Sequence, residues 1–130
     1  MPKFRLEKLI RDGLVQKFEE DGYDTQYRTL SPEEYVHALR AKVLEEAQEL
    51  PETKDRAEAI SELADVYQAL ADYALLLGIP EDEIVTEKQR KFEQKGGFSG
   101  AHFVETIEIP ENDPWVQYFR DNPDYQEEAS

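Results

Sequence analysis

This sequence predicts an all-α fold: a bundle of about four helices, trimmed by one short β-strand pair near the termini and assembled as an oligomer. Three observations lead there. Apolar residues recur at helical spacing through most of the chain before Gly96; serine, aspartate and proline stand where helices need to begin, and glycine where they need to end. From Leu63 to Leu77 the only polar residues are Asp65, Gln68 and Asp72. A helix that apolar is covered on more than one side, and one small domain has few neighbours to do it. A second copy of the chain is the expected cover.

The elements follow in order. Leu6, Leu9, Ile10, Leu14 and Phe18 share one helical face, so a first helix is expected from Leu6 to Asp21 and Gly22, weakened by Gly13. Tyr23 to Leu30 reads as a connector. Ser31, Pro32, Glu33 and Glu34 supply an N-cap, a proline for the first turn and a capping-box acid, opening a second helix that runs to about Leu50. Pro51 to Lys54 breaks the pattern. Asp55 and Glu58 repeat the capping logic for a third helix, which Gly78 stops. The fourth opens at Ile79-Pro80-Glu81-Asp82, turns Ile84, Val85 and Phe92 inward and stops at Gly96-Gly97. Phe103 to Ile109 is β-prone and alternates, so a strand is expected there, paired with Lys3 to Leu6. Beyond Pro110 come acids, prolines and amides punctuated by Trp115, Tyr118, Phe119 and Tyr125, with order expected through Phe119. The division is therefore a domain over 1–109 and an acidic, aromatic extension over 110–130.

Composition excludes several functions. A chain of 130 residues suits one domain, burying roughly two thirds of its unfolded surface. With 30 acidic against 15 basic residues the formal charge is -15, which opposes binding to a nucleic-acid backbone or an anionic membrane. There is no cysteine, so disulfides, thiolate nucleophiles and zinc-thiolate sites are ruled out. The first residues lack an apolar run of signal length, and no uninterrupted apolar stretch is long enough to span a bilayer. A soluble, cytoplasmic protein is expected.

The chemistry is carried by acids. Glu46 with Glu49, and Glu62 with Asp65, stand three apart, so each pair projects from one helical face. The pairs are symmetric about a turn at Asp55 and Arg56, which sets Glu49 opposite Glu62 and Glu46 opposite Asp65 in an antiparallel hairpin. Four carboxylates then converge, and such a cluster repels itself unless protons or cations intervene. Oxygen-only ligands suit a hard ion, Mg2+ or Mn2+, whose natural partner is a phosphate chain. One acidic pair in so acidic a chain is ordinarily a solvated face. Two pairs in register, flanked by Val43, Leu44, Ala47, Leu50, Ile60, Leu63, Ala64, Val66 and Tyr67, lie beside a core instead. Lys88, Arg90, Lys91 and Lys95 gather late in the fourth helix, where they either meet phosphate oxygens or complement the helix dipole. His37 and His102 read as structural or surface residues, and Tyr67 and Tyr73 as core or subunit contacts rather than base-stacking platforms.

Lys42-x-x-Glu45-Glu46-x-x-Glu49 followed by Glu62-Leu63-Ala64-Asp65-Val66 resembles the signature of the MazG-like all-α nucleoside triphosphate pyrophosphatase superfamily. Lys8-Leu9-Ile10-Arg11-Asp12, Glu34-Tyr35 and the segment from Lys91 to Lys95-Gly96-Gly97-Phe98 look like its phosphoribosyl-ATP pyrophosphohydrolase-like, house-cleaning branch. The resemblance covers residues from about 3 to 109. Lys95 stands where that branch carries arginine, which keeps the charge and loses the bidentate fork.

The resemblance implies a helical bundle assembled as a homodimer or homotetramer, with magnesium held by Glu46, Glu49, Glu62 and Asp65. The implied reaction is hydrolysis of a nucleoside triphosphate between its α and β phosphates, giving monophosphate and pyrophosphate. Water attacks in line, so no protein nucleophile is needed; Glu45 or Glu49 would take the proton, and Arg11, Lys88, Lys91 or Lys95 would neutralise the leaving group. Glu45 lies about a quarter-turn round the helix from Glu46. Sanitising noncanonical nucleotides is the leading expectation. The rivals are the phosphoribosyl-ATP step of histidine biosynthesis and, from another class, a non-catalytic acidic protein that mimics DNA. No residue names the base.

Overall fold

A computed structural model describes residues 1–129 of the chain, which form two compact units, Met1–Lys91 and the residues from Phe92 onward. All regular structure among the described residues is helical: α1 Asp12–Glu20, α2 Pro32–Glu49, a 3-10 turn Leu50–Glu52, α3 Arg56–Leu76, α4 Glu81–Lys95 and α5 Pro114–Asp121. No helix is long and apolar enough to cross a membrane.

The helix ends show why these boundaries hold. At the start of α2 the Ser31 hydroxyl accepts from the Glu34 N–H at 3.2 Å, and Glu34 Oε1 accepts from the Ser31 N–H at 3.2 Å, so two orphan donors are satisfied reciprocally. At α3 the Asp55 carboxylate accepts from the Glu58 N–H at 2.8 Å, while Glu58 reaches back one residue further, to the Lys54 N–H at 2.7 Å. Gly78, at φ 72°, lets the Gly78 N–H reach Leu75 O at 3.0 Å and the Ile79 N–H reach Ala74 O at 2.9 Å. That left-handed turn satisfies two terminal carbonyls of α3 and is open to glycine at little strain. Gly22, at φ 77°, closes α1 the same way, with Tyr23 packed against Phe18 at 6.1 Å between ring centroids.

Within the first unit α2 and α3 pack against each other as an antiparallel hairpin closed by the 3-10 turn. The face of α3 turned to α2 is the stripe Ala59, Glu62, Val66, Ala69, Tyr73 and Leu76, at alternating spacings of three and four, and every one of these is buried or half-buried. The seam is thin. Leu39 and Ala69 are the buried hydrophobic side chains among the described residues, and Glu46 is buried as well.

Several expectations are corrected. The first helix begins at Asp12, not Leu6, because Glu7 sits at φ 49° and Arg11 is extended at φ -57°, ψ 139°. No strand forms among the described residues: 103–109 and 3–6 are irregular, their β-prone residues having no ladder to join. Ile84, Val85 and Phe92 are exposed rather than turned inward. In the second unit, α5 carries Trp115, Tyr118 and Phe119 into one aromatic cluster with Tyr125. Ring centroids there lie 5.0 to 6.2 Å apart, and Arg120 bridges Glu111 at 3.1 Å and Glu127 at 2.7 Å.

Candidate metal centre

The hairpin delivers its acids to one place. Glu46 and Glu49 come from the last turns of α2 and Glu62 from the second turn of α3, and a carboxylate oxygen from each lies within 4.8 Å of the other two. Ligand oxygens at about 2.0 to 2.6 Å from a shared Mg2+ or Ca2+ span about 4 to 5 Å at most. The three carboxylates are therefore close enough together for one hard cation to bridge them.

Their electrostatics show the same need. The Glu62 carboxyl lies against that of Glu46 close enough to share a proton, and this contact, with burial and the charges of Glu46, Glu49 and Asp65, pushes Glu62 up to about 7. Its Oε1 is buried with no hydrogen-bonding partner. A buried, unpartnered oxygen on a side chain that meets two other carboxylates is a group that a cation or a proton would complete. For Glu46, burial pushes the pKa up, but the approach of Glu62, the Lys42 ammonium and Glu49 outweigh it and hold the carboxyl below its ordinary value. Lys42 Nζ lies 3.1 Å from Glu46 Oε1 and 3.5 Å from Glu45 Oε1. Burial lowers Lys42, and those two carboxylates more than restore it.

The outer residues fall into place around this centre. Asp65 stays out of the three-carboxylate set; its Oδ1 is taken by Arg11 NH2 at 2.6 Å. Glu45 Oε1 is shared between Lys42 and Lys8, each at 3.5 Å. Next to the centre, Glu49, Glu52, Thr53, Glu58, Ser61 and Glu62 line a shallow cleft of about 250 Å³ at the closed end of the hairpin. An anionic ligand enters such a cleft only in company with cations.

Lys88 and Lys91 are on the exposed surface of α4, beside Ile79, Glu83, Ile84 and Glu87, and no ion pair joins them to the acidic cluster among the described residues. Lys95 is the last residue of α4, followed by Gly96 at φ 74°, whose N–H closes the helix on Phe92 O at 2.7 Å. The paired glycines thus have a helix-ending role. His37 and His102 are both exposed. The Tyr73 hydroxyl accepts from Arg40 Nε at 2.9 Å, and Tyr67 lies on the open side of α3.

Two participants, Lys42 and Lys8, stand within the quoted motifs, where the sequence gives them no role of their own. Lys42 is the helical neighbour of Glu45 and Glu46 at i+3 and i+4, and that spacing is a visible signal. Lys8 reaches Glu45 from the far end of the chain, which no local spacing reveals. No family model, no curated protein and no solved structure matches the chain.

Proposed function

We propose that this chain is a magnesium-dependent nucleoside triphosphate pyrophosphatase of the MazG-like kind. It cleaves between the α and β phosphates to leave a monophosphate and pyrophosphate, and it works in the cytoplasm as a homodimer or homotetramer. Residues 1–109 form the catalytic domain and 110–130 an extension. The observation that carries this reading is the set Glu46, Glu49 and Glu62, each with a carboxylate oxygen within 4.8 Å of the other two, and with Glu62 Oε1 buried and unpartnered. Oxygen-only ligands select a hard cation, Mg2+ or Mn2+, and a hard cation at an acidic cleft is the means by which a polyphosphate binds a chain of charge -15.

We assign the roles accordingly. Glu46, Glu49 and Glu62 hold the ion, and Asp65, one turn beyond Glu62, is the fourth carboxylate once Arg11 leaves it. When bound, the ion supplies charge neutralisation on phosphate oxygens and makes water more acidic. Glu49, at the mouth of the cleft, accepts the proton of the attacking water; Glu45, tied to Lys8 and Lys42, is its alternate. Arg11, which holds Asp65 from outside the hairpin, neutralises the leaving phosphates in this reading, and Lys88, Lys91 and Lys95 are the further cations the resemblance offers for that role. Noncanonical triphosphates are the substrates proposed.

The test is product chromatography. Purified protein is incubated with a panel of canonical and noncanonical triphosphates and with phosphoribosyl-ATP, with magnesium and with chelator. Magnesium-dependent monophosphate plus pyrophosphate from a noncanonical triphosphate is expected. Selective turnover of phosphoribosyl-ATP would reassign the substrate, and no turnover anywhere would reject catalysis and leave a binding protein.

A further inference from the structure

The segment before α2 meets the candidate site through two ion pairs, while Leu9, Ile10, Val15 and Phe18 along it are half-buried. α1 buries no residue, and the ion pairs that tie this segment to the α2–α3 hairpin are Arg11 to Asp65 at 2.6 Å and Lys8 to Glu45 at 3.5 Å. Both acceptors belong to the acidic motifs. Arg11 is also the N-cap residue of α1, its backbone extended at ψ 139° and its side chain offering that helix no cap. Whatever loosens Arg11 therefore loosens the start of α1.

Asp65 is one helical turn from Glu62, close enough for its charge to help raise the Glu62 carboxyl. A divalent cation among Glu46, Glu49 and Glu62 pulls on this fourth carboxylate, and a guanidinium cannot hold the same oxygen at 2.6 Å while a metal takes it. Two cations, one internal and one external, compete for one carboxylate.

Resting on the metal reading above, we propose that Arg11 is an internal counter-ion that a divalent cation displaces from Asp65, so that loading the carboxylates undocks the segment Lys8–Glu20. Arg11 here is a positioning residue: it sets where α1 rests by holding Asp65. By reciprocity the docked segment weakens metal binding by the same factor that metal binding weakens docking. Arg11 and Asp65 are 60% and 36% exposed at their side chains, so the pair is screened and the coupling is modest. Arg11→Gln is expected to tighten Mn2+ about two- to fivefold at low salt, the range an exposed pair supports, and the gain should shrink as salt is raised.

The experiment uses the full chain, with Mn2+ alone as the probe. Its affinity is measured by titration calorimetry for wild type, Arg11→Gln and Lys17→Gln, the last removing an equal charge from α1 while leaving both ion pairs intact. Amide hydrogen exchange across 8–20 is followed with and without Mn2+. The expected result is tighter binding in Arg11→Gln than in Lys17→Gln, with faster exchange at the start of α1 when Mn2+ binds wild type. Equal affinities in the two variants, weaker binding in Arg11→Gln, or unchanged exchange would overturn the coupling while the metal site stood. Absence of Mn2+ binding to wild type would overturn both.

Discussion

At the scale of single residues, Glu62 is the side chain on which stability and the proposed metal-binding role pull in opposite directions. Its carboxyl is pushed up to about 7 from an ordinary 4.5, first by the Glu46 carboxyl it lies against and then by burial. The folded metal-free chain therefore binds more protons than the unfolded one between those values, and its stability falls as pH rises from about 4.5 to about 7. Glu62→Gln removes that dependence, because an amide neither titrates nor repels. In thermal melts of metal-free protein, the variant should equal wild type near pH 4.5 and exceed it above pH 7, with the helical signal unchanged. The same substitution should remove most of the proposed magnesium-dependent turnover, since a neutral amide lacks the charge with which a carboxylate holds a divalent cation. A variant less stable than wild type above pH 7 would mean that the three acids are not mutually repelling in solution.

At the scale of elements, capping decides where helices begin, and the caps are both testable and legible. Glu34 is drawn down to about 2, first by its hydrogen bond from Arg28 and then by the Ser31 backbone and hydroxyl. Its folded pKa lies below the ordinary 4.5, so its contribution to α2 is complete above about pH 4.5 and is lost as pH falls toward 2. Glu34→Gln keeps the capping-box shape without the charge. Melts should show it less stable than wild type at neutral pH, with the gap closing below pH 2. At α3 the Asp55 cap accepts from Glu58 N–H at 2.8 Å, and Asp55→Ala should cost about 1 kcal/mol in urea unfolding. The same logic explains what could be read from the sequence. Ser31, Asp55, Gly78 and Gly96 mark the ends of α2, α3 and α4 because their signals are local. The sequence signal for α5 was present too, in Asp113 and Pro114 ahead of Trp115, Tyr118 and Phe119, but composition suggested a tail. The start of α1 and the strand at 103–109 were misread because apolar spacing does not report whether a segment finds a neighbour to pack on. Symmetry about the turn predicts that four acids meet across the hairpin, and three of them come within reach of one ion. Which three converge, and that Arg11 takes Asp65, depends on rotation about the helix axes and on a contact far along the chain, and neither is written in local spacing.

At the scale of the whole molecule, α3 is a helix with two apolar sides. Its inner stripe faces α2; its outer stripe runs Ile60, Leu63, Tyr67, Leu70, Ala74 and Leu77, again at alternating spacings of three and four, and extends about 26 Å along the axis. Five of these six side chains are large and exposed, Tyr67 at 73%. A stripe of that spacing is the pattern by which helices interdigitate in coiled-coil fashion, and a single chain leaves it in water. The proposed homo-oligomer places this stripe against its counterpart on a second copy. Because Glu62 stands in the inner stripe of the same helix, holding α3 from its outer side would also steady the α3 half of the carboxylate site. Sedimentation equilibrium should therefore give a multiple of the single-chain mass, and Tyr67→Lys, which puts a charge on the outer stripe without touching α2, should give the single-chain mass at the same concentration. The helical signal of that variant should persist, since the hairpin with α2 is intact, while its affinity for Mn2+ should fall as α3 loses its second support. A wild-type protein that sediments as one chain would require another cover for the stripe, and the metal site would then have to be complete within one hairpin.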